Sequence, residues 1–153
     1  MIFRRKFLKT LGLSFLVFIS LPYKILHSAT KKIINKNLSK DQKDIMFNEG
    51  TERPFTSELL KEDRNGFYHC ANCGAKLFAS SAKFDSGTGW PSFSEALPGA
   101  FKTKIDYSLG MKRVEYHCAN CGAHHGHVFL DGPSATGKRF CNNGLCLIFV
   151  PEN

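Results

Sequence analysis

The octapeptide YHCANCGA occurs twice, at Tyr68–Ala75 and at Tyr116–Ala123, and nothing else in the chain limits its fold so tightly. Each copy carries a Cys-x-x-Cys pair, a spacing that lets two thiolates turn toward one ion or toward each other. Alone, each pair is half of a tetrahedral sulfur site. Together Cys70, Cys73, Cys118 and Cys121 make a whole one, the way a single structural Zn²⁺ is usually held. The interval between the pairs exceeds that of a compact zinc ribbon, so the identity of the two copies carries the expectation. Two disulfides are the alternative, open to an exported protein. Four thiolates leave a metal no open position, so the site is expected to be structural. Function should lie where this cross-linked scaffold presents the histidines that follow the second copy, His124, His125 and His127, to the two remaining thiols, Cys141 and Cys146.

A chain of 153 residues fits one domain with a modest core. Its formal charge of +8 misleads, because the first 29 residues hold Arg4, Arg5, Lys6, Lys9 and Lys24 and no acid. Without them 16 basic residues face 13 acids, or +3, which offers no strong footprint for nucleic acid. That start reads as an address. A charged beginning, a short apolar run from Leu11 to Leu21 and small residues at Ser28 and Ala29 make an export signal in residues 1–29. The run is short for a transmembrane helix. Arg-Arg-Lys-Phe-Leu-Lys resembles the twin-arginine signal, which carries folded proteins, although Phe3 departs from its usual hydroxyl residue. An ordinary secretory signal or an uncleaved anchor is the plainer alternative. The expected location is outside the cytoplasm, in the periplasm, with the membrane touched only through this signal.

Residues 30–38 read as a polar linker and 39–153 as the domain. Ser39 and Gln42 form a Ser-x-x-Gln capping box for a short helix containing Ile45, Met46 and Phe47, with Gly50 as its stop. Beyond it the pattern shifts to short alternations. Strands are expected at Phe67–His69, Lys76–Phe78, Phe101–Tyr107, Met111–Tyr116, Val128–Leu130 and Leu145–Val150, separated by Gly-rich clusters such as DSGTG and DGPSATG. The fold class is all-β: two packed antiparallel sheets with a short N-terminal helix and a structural zinc site.

Of the two unpaired cysteines, Cys141 lies in polar and cationic company, flanked by Lys138 and Arg139. Nearby cations lower a thiol's pKa, and the thiolate is the nucleophile. Cys146 sits in an apolar run and suits a buried core role. If the run is a regular strand, five residues of separation put the two thiols on opposite faces and about 16 Å apart, too far for a disulfide.

Four stretches in order, Thr51–Phe55 (TERPF), Phe84–Phe93 (FDSGTGWPSF), Gly122–Phe129 (GAHHGHVF) and Gly137–Asn143 (GKRFCNN), resemble the B-type methionine sulfoxide reductases, the peptide-methionine (R)-S-oxide reductases. The double Cys-x-x-Cys is similar to that of the zinc-containing members. The resemblance implies that Cys141 attacks the sulfoxide sulfur and becomes a sulfenic acid. It implies that His124, His127 and Asn143 surround the sulfoxide oxygen and that Trp90 receives the substrate methyl. The implied partners are oxidised methionine in proteins or peptides and a thioredoxin-like or other thiol reductant. His125 stands where that family is usually apolar and takes no role. Thr88 stands where many members carry a resolving cysteine, so recycling is expected to pass through an external thiol. Without the resemblance two rivals stand: a zinc-ribbon binding module, which leaves Cys141 unexplained, and a thiol-disulfide oxidoreductase, which needs its Cys-x-x-Cys free of metal.

Overall fold

The computed structural model describes residues 31–152; the export signal expected in residues 1–29 lies outside them. The described residues form helix α1 (Lys40–Asn48) and nine strands: β1 (Gly66–Cys70), β2 (Lys76–Ala79), β3 (Lys83–Phe84), β4 (Ser92–Phe93), β5 (Phe101–Asp106), β6 (Arg113–Cys118), β7 (His124–Phe129), β8 (Arg139–Asn142) and β9 (Leu147–Pro151). They make two antiparallel sheets, one ordered β2-β1-β9 and one ordered β3-β4-β8-β7-β6-β5. The expected all-β class with a short helix is what the described residues adopt.

The capping box at Ser39 and Gln42 is closed in both directions. The helix ends at Glu49, which takes the left-handed conformation (φ 61°) expected of the following Gly50. Ile45 and Met46 are buried beneath the sheets. Between the layers an aromatic column fills the core. Phe78 stacks on Phe93 at 4.0 Å, and Tyr68 meets Phe93 edge-on at 4.9 Å. Phe101 and Phe140 flank Tyr116 at 4.7 and 5.4 Å. Such rings bury large areas and gain further from these edge and offset contacts.

Two expectations change. The strand expected from Val128 begins earlier, at His124, so the histidine run is itself strand. The strand expected from Leu145 begins at Leu147, and Gly144–Cys146 forms a 3₁₀ turn instead. This turn lets the chain leave the large sheet at β8 and enter the small one at β9. The face-alternation argument separating Cys141 from Cys146 therefore loses its premise.

Candidate active site

The two octapeptides fold alike, because each is the end of a strand followed by the same turn. Cys70 N–H donates to Ala75 and Gly74 N–H to Cys70; Cys118 N–H donates to Ala123 and Gly122 N–H to Cys118, all at 2.8–2.9 Å. The two glycines take φ of 72° and 71°, which only glycine adopts freely. The turns meet with Cys70 and Cys121 sulfurs 3.7 Å apart and Cys73 and Cys118 sulfurs 3.6 Å apart. Four sulfurs about 2.3 Å from one ion stand about 3.8 Å apart at tetrahedral corners, so the set fits a metal. Charge points the same way. Sharing protons with Cys118 and Cys121, then burial, pushes the Cys70 thiol far up, and the Cys118 thiol is pushed up to about 12. Cys121, which accepts from its neighbours, is instead pushed down, so the crowded sulfurs do not all ionise unaided, and a cation is what lets clustered thiols ionise together. The segment before α1 is laid on this centre. Asn72 Oδ1 accepts from the N–H groups of Ile34 and Asn35 at 2.8 and 3.1 Å, and Lys32 N–H donates to Cys121.

Beyond the second turn, β7 carries the histidines. Residues three apart on a regular strand face opposite ways. Here β7 holds an extra residue opposite β6: Tyr116 pairs Gly126, yet His117 pairs His124. This bulge turns His124 and His127 to one face, their ring centres 5.7 Å apart. The extra residue, His125, points into the core against Phe101 and Tyr116, with neither ring nitrogen hydrogen-bonded. Burial pushes its pKa down to about 3, so it stays neutral and takes no part in the chemistry.

Cys141 lies on β8 directly opposite His127 on one side and Ser92 on the other. Of its two flanking cations, Arg139 is buried and its charge acts on the thiol, while Lys138 is exposed. Arg139 is itself gripped by both carboxylate oxygens of Asp131, at 2.8 and 2.9 Å, and lies over the Phe129 ring. Burial raises the Cys141 pKa by more than Arg139 and the Thr88 hydroxyl lower it, so the thiol ends above the ordinary cysteine value. The expected cation-lowered thiolate is thus corrected: desolvation wins. Thr88 belongs to a hydroxyl chain, with Ser86 Oγ 2.8 Å from both Thr88 and Ser92.

The other residues named from sequence converge on the same place. His124 is buried with Nε2 3.5 Å from Asn143 Nδ2. Asn143 donates to the His125 carbonyl at 3.0 Å and accepts from Glu52 N–H at 2.9 Å. Trp90 donates its indole N–H to the Glu52 carbonyl at 2.9 Å and lines a groove of about 630 Å³ with Phe55, Leu60, Lys83 and Phe84. His127 Nε2 donates to Asp106 at 2.8 Å; burial outweighs that carboxylate and holds the His127 pKa below its ordinary value. Cys146 is fully buried, its thiol on the His124 carbonyl at 3.4 Å and its pKa pushed well up by burial.

Sequence reading missed three acids. Glu52 is buried, and its carboxylate caps the 3₁₀ turn at the Gly144 and Leu145 N–H groups while its backbone joins Trp90 to Asn143. The only sign of it was its place inside TERPF. Glu115 holds His124 from the neighbouring β6, and Asp106 holds His127 from β5, one strand further on, and alternation placed neither.

The family model of the SelR domain matches residues 38–151. A peptide methionine sulfoxide reductase MsrB of Thiobacillus denitrificans is 53% identical over 117 residues, covering 76% of this chain and 89% of that protein. The proteins of the same description from Variovorax paradoxus and Escherichia coli O45:K1 are 56% and 52% identical over 100 and 118 residues. Those alignments cover 65% and 76% of this chain and 74% and 86% of theirs.

Proposed function

Since the chain belongs to the SelR-domain family, the MsrB peptide methionine sulfoxide reductases, we infer that it reduces the R epimer of methionine sulfoxide in proteins to methionine. The observation that carries this reading is Cys141, set on β8 directly across from His127 on one side and Ser92 on the other. Its sulfur attacks the sulfoxide sulfur, and the thiol proton ends on the oxygen. As the new S–S bond breaks, that hydroxyl oxygen passes to the Cys141 sulfur, so methionine leaves reduced by two electrons and Cys141 is left oxidised by two as sulfenic acid. Sulfoxide oxygen departs only as it is protonated, and His124, His127 and Asn143 are the polar groups set to receive it. Trp90, tethered by its indole N–H, offers its ring to the methyl group. The groove beside it gives the flanking polypeptide room.

Thr88 cannot resolve the sulfenic acid, and Cys146 is buried with its thiol held protonated. An external thiol, of thioredoxin type or smaller, therefore condenses with Cys141, releasing water, and a second thiol frees it. Cys70, Cys73, Cys118 and Cys121 would hold one Zn²⁺, which supplies cohesion and leaves no position for substrate. The basic, apolar start of the chain is proposed to direct export to the periplasm, with residues 39–153 as the catalytic domain.

The test is turnover of separate R and S epimers of a peptide methionine sulfoxide with dithiothreitol. Activity confined to R, abolished in Cys141→Ser, is expected. Excess sulfoxide without reductant should leave a trappable sulfenic acid on Cys141. Equal rates on both epimers overturn the reading, and a Cys141–Cys146 disulfide overturns the external route.

A further inference from the structure

His124 is held at both ring nitrogens, and the two holds agree. Asn143 cannot be turned around, because its carbonyl oxygen accepts from Glu52 N–H and its amide donates to the His125 carbonyl. What it offers to His124 Nε2 is thus N–H, which calls for a lone pair on that nitrogen. At the other end, Nδ1 lies 2.6 Å from Glu115 Oε1, a carboxylate oxygen that calls for Nδ1–H. The same oxygen accepts from His117 Nε2 at 2.6 Å, and Glu115 Oε2 takes Lys104 Nζ at 3.1 Å. Lys104 in turn binds Glu49 at 2.6 Å, where Lys31 also binds at 2.8 Å. Glu115 and His124 are both about 1% exposed, so this carboxylate is compensated wholly by protein groups.

We propose that Glu115 is a positioning residue for the reduction: it keeps a proton on His124 Nδ1 in both charge states of the ring, so that the ring takes up and gives out protons only at Nε2. The inference rests on the reading above, in which His124 serves the sulfoxide oxygen. A ring protonated at Nε2 can pass that proton to the oxygen and return to the Nδ1–H tautomer without turning over. In the opposite tautomer a bare Nδ1 would face the Glu115 carboxylate at 2.6 Å, a repulsive contact, so the ring would have to turn over in each cycle; the longer Asn143 contact, at 3.5 Å, is the one that opens when Nε2 carries a proton. Lys104 and His117 supply the positive charge and donor that let this buried carboxylate stay ionised. Burial alone would push Glu115 up, yet the two ring N–H groups hold it well below the ordinary range.

The experiment uses the full zinc-loaded chain. Long-range ¹H–¹⁵N correlation spectra of histidine-labelled protein should show His124 as the Nδ1–H tautomer. An Nε2–H tautomer in the unaltered protein overturns the proposal whatever any variant does. Glu115→Gln can present an amide N–H to Nδ1, and should lower kcat on the R epimer about 100-fold, the scale of a lost proton-transfer group. KM should stay within about threefold, because Glu115 does not touch substrate. The spectrum should show Nδ1–H lost, and Glu115→Asp should recover part of both. A kcat within twofold of the unaltered protein, or a fall in kcat with Nδ1–H retained, overturns it. His124→Ala separates the two failures. If it leaves kcat intact, the role given to His124 is wrong; if it lowers kcat and Glu115→Gln does not, only the positioning role is.

Discussion

The Arg139 guanidinium favours the Cys141 thiolate, and the thiol is nevertheless pushed up, because burial outweighs a cation whose charge is already engaged by Asp131. A group whose pKa is raised above the ordinary cysteine value is almost wholly thiol at neutral pH, and becomes thiolate only as pH climbs beyond about 9. Iodoacetamide alkylation of Cys141, followed by peptide mass spectrometry, should therefore be slow at pH 7 and still rising above pH 9. A rate that levels off below pH 8 would mean that Arg139 wins after all. The sequence made the cations visible and hid both Asp131's grip and the depth of the sulfur. Lys138 and Arg139 look alike in the chain, but Lys138 is exposed and Arg139 is buried against Asp131. At this scale what was legible was chemical type. Cys141, His124, His127 and Asn143 could be named, while the partners that set their states, Glu115, Asp106 and Glu52, come from distant segments.

At the scale of elements, the bulge in β7 decides whether two histidines can share one task. His124 and His127 would fall on opposite faces of a regular strand; the extra residue opposite β6 corrects this. Gly126 lies against β8 so closely that an added Cβ would fall on the Cys141 carbonyl oxygen. Gly126→Ala should therefore force β7 from β8 and cost about 3 kcal/mol, the upper end of overpacking penalties, with kcat falling as His127 leaves its place opposite Cys141. Urea denaturation with turnover on the R epimer checks both. Unchanged stability would mean that the strands separate there without strain. The capping box of α1 was legible because all its partners lie within four residues. Strands β3 and β4 have two residues each and β8 has four, so no periodicity could announce them. The 3₁₀ turn at Gly144–Cys146 looked like strand because an apolar run does not reveal where its backbone bends.

Across the whole molecule the two octapeptides work as a staple. The first closes β1, in the small sheet, and the second closes β6, in the large one, so a metal on all four sulfurs ties the layers together. That the copies meet was legible from their identity. That β1 would pair with β9, about 80 residues away, was not, since nothing local records a partner so distant. The segment from Lys32 to Asn35 is tied to both turns through Asn72, Ala71 and Cys121, so loss of the metal should loosen it as well as the sheets. Cys118→Ser removes one corner of the tetrahedron and leaves three crowded thiols around a hydroxyl that binds zinc poorly. Metal binding to such a site is part of the folding free energy. The variant should purify with less than one tenth of the zinc per chain, by elemental analysis. It should melt about 10 °C lower or more, the shift that a loss of roughly 4 kcal/mol gives in a domain of this size. The aromatic column between Phe78 and Tyr116 should still give it a cooperative, though lower, transition. The unaltered chain should yield all six cysteines to a thiol reagent only after denaturation with a chelator. If instead it is free of zinc, releases two thiols rather than six, and Cys118→Ser melts unchanged, the sulfurs are paired as disulfides and the staple is not a metal.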